Sequence, residues 1–264
     1  MDTTGAHEGS LNSNISEINF NYGLSENWNI ETIVSIGSRV MDFRGDKNSP
    51  HHRNESKTGF GDTKITLRYL SSNVSFGPGT RLFFGGGVII PSDNVIKENP
   101  FRLGAAGQNH SHFDLSEGAF KILGEIQYFK RDKSPIVKGG ILKYTTALKE
   151  NKYSFTPGYQ LDGLAMVYWQ TKEILKGIPQ FSLIGQKRGV NVWEGNEAPN
   201  SGGLVILGEV GLMWNINPHH FTFSFRIPIY QKINMVQEES SIENHADMWG
   251  LSLSYRTVLS FGDE

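Results

Sequence analysis

The stretch HHFTFSFRIPIYQ, residues 219–231, decides the fold of this chain. One set of alternate positions is entirely apolar and contains Phe221, Phe223, Phe225, Ile227 and Ile229. The other set is mostly polar and contains Thr222, Ser224, Arg226, Pro228 and Tyr230. Because successive side chains of a β-strand point to opposite faces, the pattern predicts a strand with one apolar and one mostly polar face. A soluble β-sandwich would turn the apolar face inward, whereas a membrane barrel would turn it toward lipid.

The composition of the 264 residues excludes several classes of function. The 25 basic and 27 acidic residues nearly balance, so the chain has no basic footprint for nucleic acid. It contains no cysteine, which excludes a thiol nucleophile, a zinc–cysteine site and a disulfide framework. No apolar run reaches the roughly 18 residues that a transmembrane helix needs. The 30 glycines and the 11% of aromatic residues are typical of a β-rich protein with many turns and aromatic belts.

The period of two recurs along nearly the whole chain and predicts about 11 strands in a single domain. These strands are about 10 to 14 residues long, which suits tilted membrane strands better than the roughly 5 to 6 residues common in soluble sheets. Short connections, near residues 25, 75, 133, 175 and 217, alternate with long ones near 50, 100, 195 and 240. Outer-membrane barrels show this alternation. Lys149–Lys152 is predicted to be a tight connection where a long one is expected.

The order of the connections also bears on the start of the chain. The first predicted strand, Ile15–Leu24, ends at a short turn and therefore starts on the side of the long loops. Because an exported barrel starts from the other side, we expect one further strand and a signal peptide before Met1. The predicted fold is all-β: one antiparallel up-and-down transmembrane β-barrel of about 12 strands, with about 11 of them in residues 1–264.

Charged side chains recur on the polar faces of the predicted strands. In a barrel they would line a lumen and pair there, whereas a soluble sandwich would expose the same charges to solvent. Pro228 predicts a β-bulge or local break, and Gly85-Gly86-Gly87 predicts a bend or a close approach of backbone. The residues selected as lumen-lining are Arg68, Glu125, Glu209, Arg226 and Tyr230.

Histidines in the predicted loop 91–111 and just beyond it offer weak candidates for metal chemistry. His110 and His112, with Asp114 and Glu117 nearby, form a pattern that can bind a transition metal, but solvated loop histidines give the same pattern. No metal site or cofactor is therefore assigned. The chain has no Gly-x-Ser-x-Gly elbow, and His112 and Ser116 lack the spacing of a phospholipase dyad, so no enzymatic activity is predicted.

Four segments share the patterns of a known family, in the same order along the chain. They are GFGDTKITLRY at 59–69, HFDLSEGAF at 112–120, NSGG at 200–203 and IPIYQ at 227–231. In these segments the chain resembles the outer-membrane transporter family named for the meta-pathway of phenol degradation. The resemblance implies a barrel in the outer membrane of a Gram-negative bacterium, loosely similar to channels for fatty acids and aromatic hydrocarbons. The ending Phe261-Gly262-Asp263-Glu264 departs from the terminal aromatic that barrel assembly favours.

The predicted function is passive diffusion of small molecules, hydrophobic or aromatic ones included, across the bacterial outer membrane. A solute would be captured among the loops 42–58, 91–111, 188–201 and 232–245. The expected partners are the lipid bilayer, lipopolysaccharide and a small-molecule solute, with no nucleic acid. Two alternatives remain open: a structural or assembly barrel with a plugged lumen, and a soluble β-sandwich binding module.

Overall fold

The computed structural model describes residues 9–43, 54–72, 78–108, 110–111, 114–131, 135–170, 174–199, 201–234 and 249–259. These residues form fourteen strands and one short helix. In chain order the elements are β1 (Gly9–Gly23), β2 (Trp28–Phe43), β3 (Glu55–Ser72), β4 (Gly79–Ile90), α1 (Pro100–Ala105), β5 (Lys121–Arg131), β6 (Ile136–Ala147), β7 (Phe155–Thr156), β8 (Gln160–Trp169), β9 (Ile178–Arg188), β10 (Val192–Trp193), β11 (Asn196–Glu197), β12 (Gly203–Ile216), β13 (His219–Ile233) and β14 (Gly250–Thr257).

Eleven of the strands form one antiparallel sheet in the order β1-β2-β3-β4-β5-β6-β8-β9-β12-β13-β14. Each long strand pairs with the long strand before it and the one after it along the chain, which is the up-and-down arrangement. The sheet curls into a half-barrel. The prediction of an all-β, antiparallel, up-and-down fold is confirmed. None of the described residues forms a helix long and apolar enough to cross a membrane.

The connections alternate without exception between a short-turn end and a long-connection end of the sheet. The short-turn end carries residues 24–27, 73–78, 132–135, 170–177 and 217–218. The long-connection end carries residues 44–54, 91–120, 148–159, 189–202 and 234–249. The prediction of a tight connection at Lys149–Lys152 was therefore wrong, because β6 ends at Ala147 and β8 begins only at Gln160.

The alternation of residues 113–130 predicts one strand, and the strand that forms there is shorter. β5 begins at Lys121, and the described residues 114–120 belong to the connection. Gly118 adopts a left-handed φ of 71°, which breaks the extended run. The backbone N–H groups of Leu115 and Ser116 donate to the carbonyl oxygen of Asn94 instead of to a neighbouring strand. The alternating pattern thus continues into residues that are not part of the strand, because their backbone hydrogen bonds are made within the connection.

The two faces of the sheet reverse the burial pattern of a soluble protein. On the face that we call inner, Thr66 is 0% and Glu125 only 4% exposed. On the outer face, Leu142 is 51% and Ile126 is 46% exposed. The other sheet among the described residues has three strands of two residues each, which is too small to cover the outer face. A β-sandwich would require a covering layer there, so the described residues do not form that fold.

Three long connections, 91–120, 148–159 and 189–202, contribute a small second layer that we call the cap. It contains α1 and the sheet β11-β10-β7. Its core is built on Phe155 and Trp193, whose ring centroids lie 4.7 Å apart, together with Ala198. Asn99 caps α1 by accepting hydrogen bonds from the backbone N–H groups of Phe101 and Arg102. The cap therefore has packing of its own at one end of the sheet.

Candidate functional site

Arg68 is the centre of a buried cluster of charges on the inner face. Its Nε donates to Oε1 of Glu125, and its Nη2 donates to Oε2 of Glu31. Lys143 adds a second cation, with its Nζ 3.5 Å from Oε2 of Glu125. The side chains of Arg68, Glu31 and Glu125 are at most 10% exposed. Residues from β2, β3, β5 and β6 therefore meet in one group with two negative and two positive charges, which we call the Arg68 cluster.

Gly85 makes the Arg68 cluster possible, because it lies on β4 directly between the two main partners. In the sheet register Gly85 is opposite Arg68 on one side and Glu125 on the other. A Cβ atom added at Gly85 would lie 2.6 Å from Cγ and 2.8 Å from Oε1 of Glu125. The missing side chain thus leaves the space through which Arg68 and Glu125 reach each other over β4. The predicted close approach at the glycine triplet is confirmed for this residue.

A second ion pair lies on the inner face between β12 and β13. Glu209 and Arg226 are direct partners in the register, and Nη2 of Arg226 is 3.2 Å from Oε2 of Glu209. Ser224 donates from its hydroxyl to the same carboxylate oxygen at 3.0 Å. Among the residues that the structure describes, no salt bridge joins this pair to the Arg68 cluster. Four of the five predicted lumen-lining residues therefore form two separate pairs, Arg68 with Glu125 and Glu209 with Arg226.

Tyr230 does not share the face of Arg226. Leu207 pairs with Pro228 and Ile206 pairs with Tyr230, so Ile229 is an extra residue in β13. This bulge reverses the alternation beyond Pro228. Ile206 is connected through the direct register partners Gly185 and Gly163 to Leu142, which lies on the outer face. Tyr230, the partner of Ile206, therefore also lies on the outer face. The predicted irregularity at Pro228 is present, and it removes Tyr230 from the inner face.

The two weak candidates for metal ligands, His110 and His112, are not part of a metal site in the described part of the chain. His110 is buried, and its Nδ1 lies 2.9 Å from the carbonyl oxygen of Gln108. His112 lies outside the described residues. The described ranges contain no group of three or more histidine, aspartate or glutamate side chains placed to hold a metal ion. His110 therefore differs from the solvated loop histidine that the pattern also suggested, because it is buried and has a backbone partner.

The cap encloses a cavity of about 200 Å³, which the sequence did not reveal. Side chains from two connections, 91–120 and 189–202, form its wall together with Phe155 from the third. The apolar part of the wall consists of Ile96, Phe101, Phe155, Trp193, Ala198 and Pro199. The polar part consists of Asp114, Glu117, Asn191 and Ser201. Among the residues of this wall that the structure describes, the charged ones are the two carboxylates.

The two carboxylates are unequally compensated. Glu117 holds Nζ of Lys121 at 2.5 Å, whereas the salt bridge between Asp114 and Arg39 is longer, with Oδ1 and Nη1 3.5 Å apart. Burial, together with the neighbouring carboxylate of Glu117, raises the pKa of Asp114 to about 6. Neither Arg39 nor Lys121 lines the cavity. The basic partners are therefore not part of the described lining, whereas Asp114 and Glu117 are.

Sequence reasoning missed Glu31, Lys143 and Gly85 as members of the Arg68 cluster. Glu31 and Lys143 carried the same signal as the residues that were selected, namely a charge on the polar face of a strand. What was missing was the register, which decides which charges of neighbouring strands are close enough to pair. The cavity had no signal in the alternation, because its wall comes from three connections.

The chain is similar in structure to an outer membrane channel from Pseudomonas putida F1. The TM-score is 0.60 and the sequence identity is 12%, over 86% of this chain and 81% of that chain. No protein-family model and no curated protein matches the sequence. The resemblance to the family named for the meta-pathway of phenol degradation therefore stays a prediction. At this identity, the structural similarity establishes a shared fold.

Proposed function

We propose that this chain forms a β-barrel of the bacterial outer membrane, in which the inner face of the sheet is the wall of a channel for small solutes. The observation that carries the proposal is the reversed burial of the sheet, with charged side chains buried and apolar side chains exposed. Lipid, including lipopolysaccharide, would cover the apolar face, which in water would be a large aggregation-prone patch. The similarity to an outer membrane channel supports the same proposal.

The transport mechanism in this proposal is passive diffusion along the inner face. The Arg68 cluster contains two carboxylates and two basic groups, and the Glu209–Arg226 pair is likewise balanced. Strongly ion-selective pores instead present rings of one sign of charge. We therefore expect weak selectivity between cations and anions, and passage of small neutral molecules, hydrophobic or aromatic ones included.

A structural barrel with a plugged lumen is the second candidate function. The observation that favours it is the burial of the Arg68 cluster, whose side chains extend from β2 to β6 and fill part of the space over the inner face. Buried, mutually bonded charges of this kind resist displacement by a passing solute. In that case the cluster would stabilise the barrel and no flux would follow.

Conductance in planar bilayers separates the two candidates. The full chain, folded in detergent and inserted at low concentration, should give stepwise conductance in potassium chloride, with a small reversal potential under a salt gradient. Liposome swelling with neutral sugars of increasing size would measure the width of the path. Protein that is folded by circular dichroism but shows neither conductance nor swelling would overturn the channel and support the plugged barrel.

A further inference from the structure

The cavity in the cap has the chemistry of a binding site, and its ligand class follows from its wall. We propose that it binds a small aromatic ammonium ion, with the ring against Phe155 and Trp193 and the ammonium group at Asp114 and Glu117. This inference rests on the proposed function only where it treats the cap as a selective entrance to the channel. The binding itself does not require transport.

The size of the cavity sets the size of the ligand. A cavity of about 150 Å³ lined by apolar side chains is large enough to bind benzene. The volume of about 200 Å³ therefore suits one aromatic ring with a tail of two or three atoms. Phe155 and Trp193 are buried, whereas Phe101 is 38% exposed at the edge of the same wall. The ring of a ligand would thus lie against the buried aromatic pair and reach it past Phe101.

The polar groups of the wall select the head group of the ligand. Asn191 accepts from the backbone N–H of Gly158 through its Oδ1, and Ser201 donates from its hydroxyl to the carbonyl oxygen of Ala198. These two side chains are therefore engaged in holding the cap together. Asp114 and Glu117 supply the charged groups of the described wall, and both are carboxylates. A ligand carboxylate would be repelled there, whereas an ammonium group would improve the weak compensation of Asp114.

Charged groups from several elements face Asp114 and set the pH dependence of binding. Arg39 of β2 and Lys57 of β3 favour its ionised form, whereas Glu117 of the same connection and Asp62 of β3 oppose it. Burial opposes ionisation most strongly, and the pKa of Asp114 is raised to about 6. Affinity for an ammonium ion should therefore increase as the pH rises through about 6. Affinity for a neutral analogue should change little over the same range.

The test compares three ligands of one shape and different charge: phenethylamine, 2-phenylethanol and phenylacetate. Binding to the folded full chain in detergent would be measured by calorimetry, with buffer-only micelles subtracted. We expect phenethylamine to bind most tightly, 2-phenylethanol more weakly and phenylacetate not at all. Asp114→Asn, which preserves shape, should weaken phenethylamine binding about tenfold or more. The control Asp93→Asn removes a fully exposed carboxylate from the same connection and should change nothing.

A second variant tests the location of the site independently of charge. Ala198→Leu fills the apolar part of the cavity and should abolish binding of both phenethylamine and 2-phenylethanol. Wild-type conductance of this variant would show that its barrel is folded. Equal binding of all three ligands, or wild-type affinity in Asp114→Asn and Ala198→Leu, would overturn the site. Conductance without phenethylamine binding would refute the site and leave the channel. Binding without conductance would support the site and refute the channel.

Discussion

The Arg68 cluster and the cap both place carboxylates beside basic side chains, but they differ in how completely the charges are matched. On the inner face, Glu31 and Glu125 both accept hydrogen bonds from the guanidinium group of Arg68. In the cap, Asp114 has an arginine partner at 3.5 Å and a second carboxylate on the same wall. Arg68 thus bonds two carboxylates directly, although Oε2 of Glu125 accepts no hydrogen bond, whereas Asp114 has a looser pair and capacity left for a ligand.

The difference follows from the elements that carry the residues. Strand register fixes neighbouring side chains about 5 Å apart, so opposite charges on adjacent strands meet repeatedly and in defined pairs. Connections are held by fewer hydrogen bonds and bring residues together at the distances that local packing allows. A binding site for a charged group is therefore more readily built from connections, while the sheet pairs most of its charged side chains with one another.

The largest expected effect comes from Arg68→Met, which removes the cation that bonds both carboxylates of the Arg68 cluster. It leaves the carboxylates of Glu31 and Glu125 buried, and we expect a loss of about 3 to 5 kcal/mol in the free energy of unfolding. Urea unfolding of the protein in lipid vesicles, followed by tryptophan fluorescence, would measure it. The matched control is Arg226→Met, which should cost less than half as much, because the Arg226 side chain is 36% exposed. Equal losses would mean that burial does not make the ion pairs of the Arg68 cluster stronger than the exposed pair.

A smaller effect is expected from Gly85→Ala, which tests whether the space at Gly85 permits the contact between Arg68 and Glu125. The added methyl group would displace Glu125 from Arg68, at a cost of about 1 to 3 kcal/mol in the free energy of unfolding. Gly86→Ala is the control in the neighbouring position, because the nearest atom to its Cβ is a backbone oxygen 4.0 Å away. If both variants unfold at the same urea concentration, the space above Gly85 is not what permits the contact.

The pH dependence of the stability of the cap tests the weak charge compensation of Asp114. The pKa of Asp114 rises from an ordinary 3.8 to about 6 in the folded protein, so the folded state holds the proton more tightly than the unfolded state. Stability must then fall as the pH rises from about 4 through about 6. We expect limited proteolysis of the cap to accelerate over this range in the wild type. The same profile should be flatter in Asp114→Asn, and an unchanged slope in that variant would assign the effect to another group.

The smallest effect is expected from Glu194→Gln, which breaks an ion pair between two exposed side chains. Arg102 and Glu194 lie 2.9 Å apart with side chains 62% and 37% exposed. Exposed pairs of this kind contribute about 0 to 1 kcal/mol. The thermal midpoint of the cap should therefore be nearly unchanged, and binding of phenethylamine should be the same as in the wild type. A large loss would mean that exposure is a poor guide to the strength of ion pairs in this cap.

The sequence was sufficient for features that depend on one strand at a time. Alternation of apolar and polar residues located the long strands, their polar faces and the charged residues on them, because the period of two is a property of neighbouring residues. It failed at Tyr230, because one extra residue at Ile229 reverses the face of everything beyond it. It also failed at 148–159, where a two-residue strand and a turn occupy a connection that looked tight.

The candidate site divides along the same line. Arg68, Glu125, Glu209 and Arg226 could be selected from their charge and their strand face, but their pairing depends on register between strands. The cavity depends on contacts between connections far apart in the chain, such as Asn99 with Glu194 and Phe155 with Trp193. Neither composition nor periodicity records such contacts.

The contact between Arg68 and Glu125 also has a mechanical consequence. It ties β3 to β5 across β4, so three strands are joined by side chains as well as by the two backbone ladders between them. A barrel pulled from one end of the chain ordinarily yields its hairpins one after another. Here the hairpin made of β3 and β4 cannot detach from the sheet unless the ion pair between Arg68 and Glu125 of β5 also breaks. Under force, β3, β4 and β5 should therefore come out in a single step.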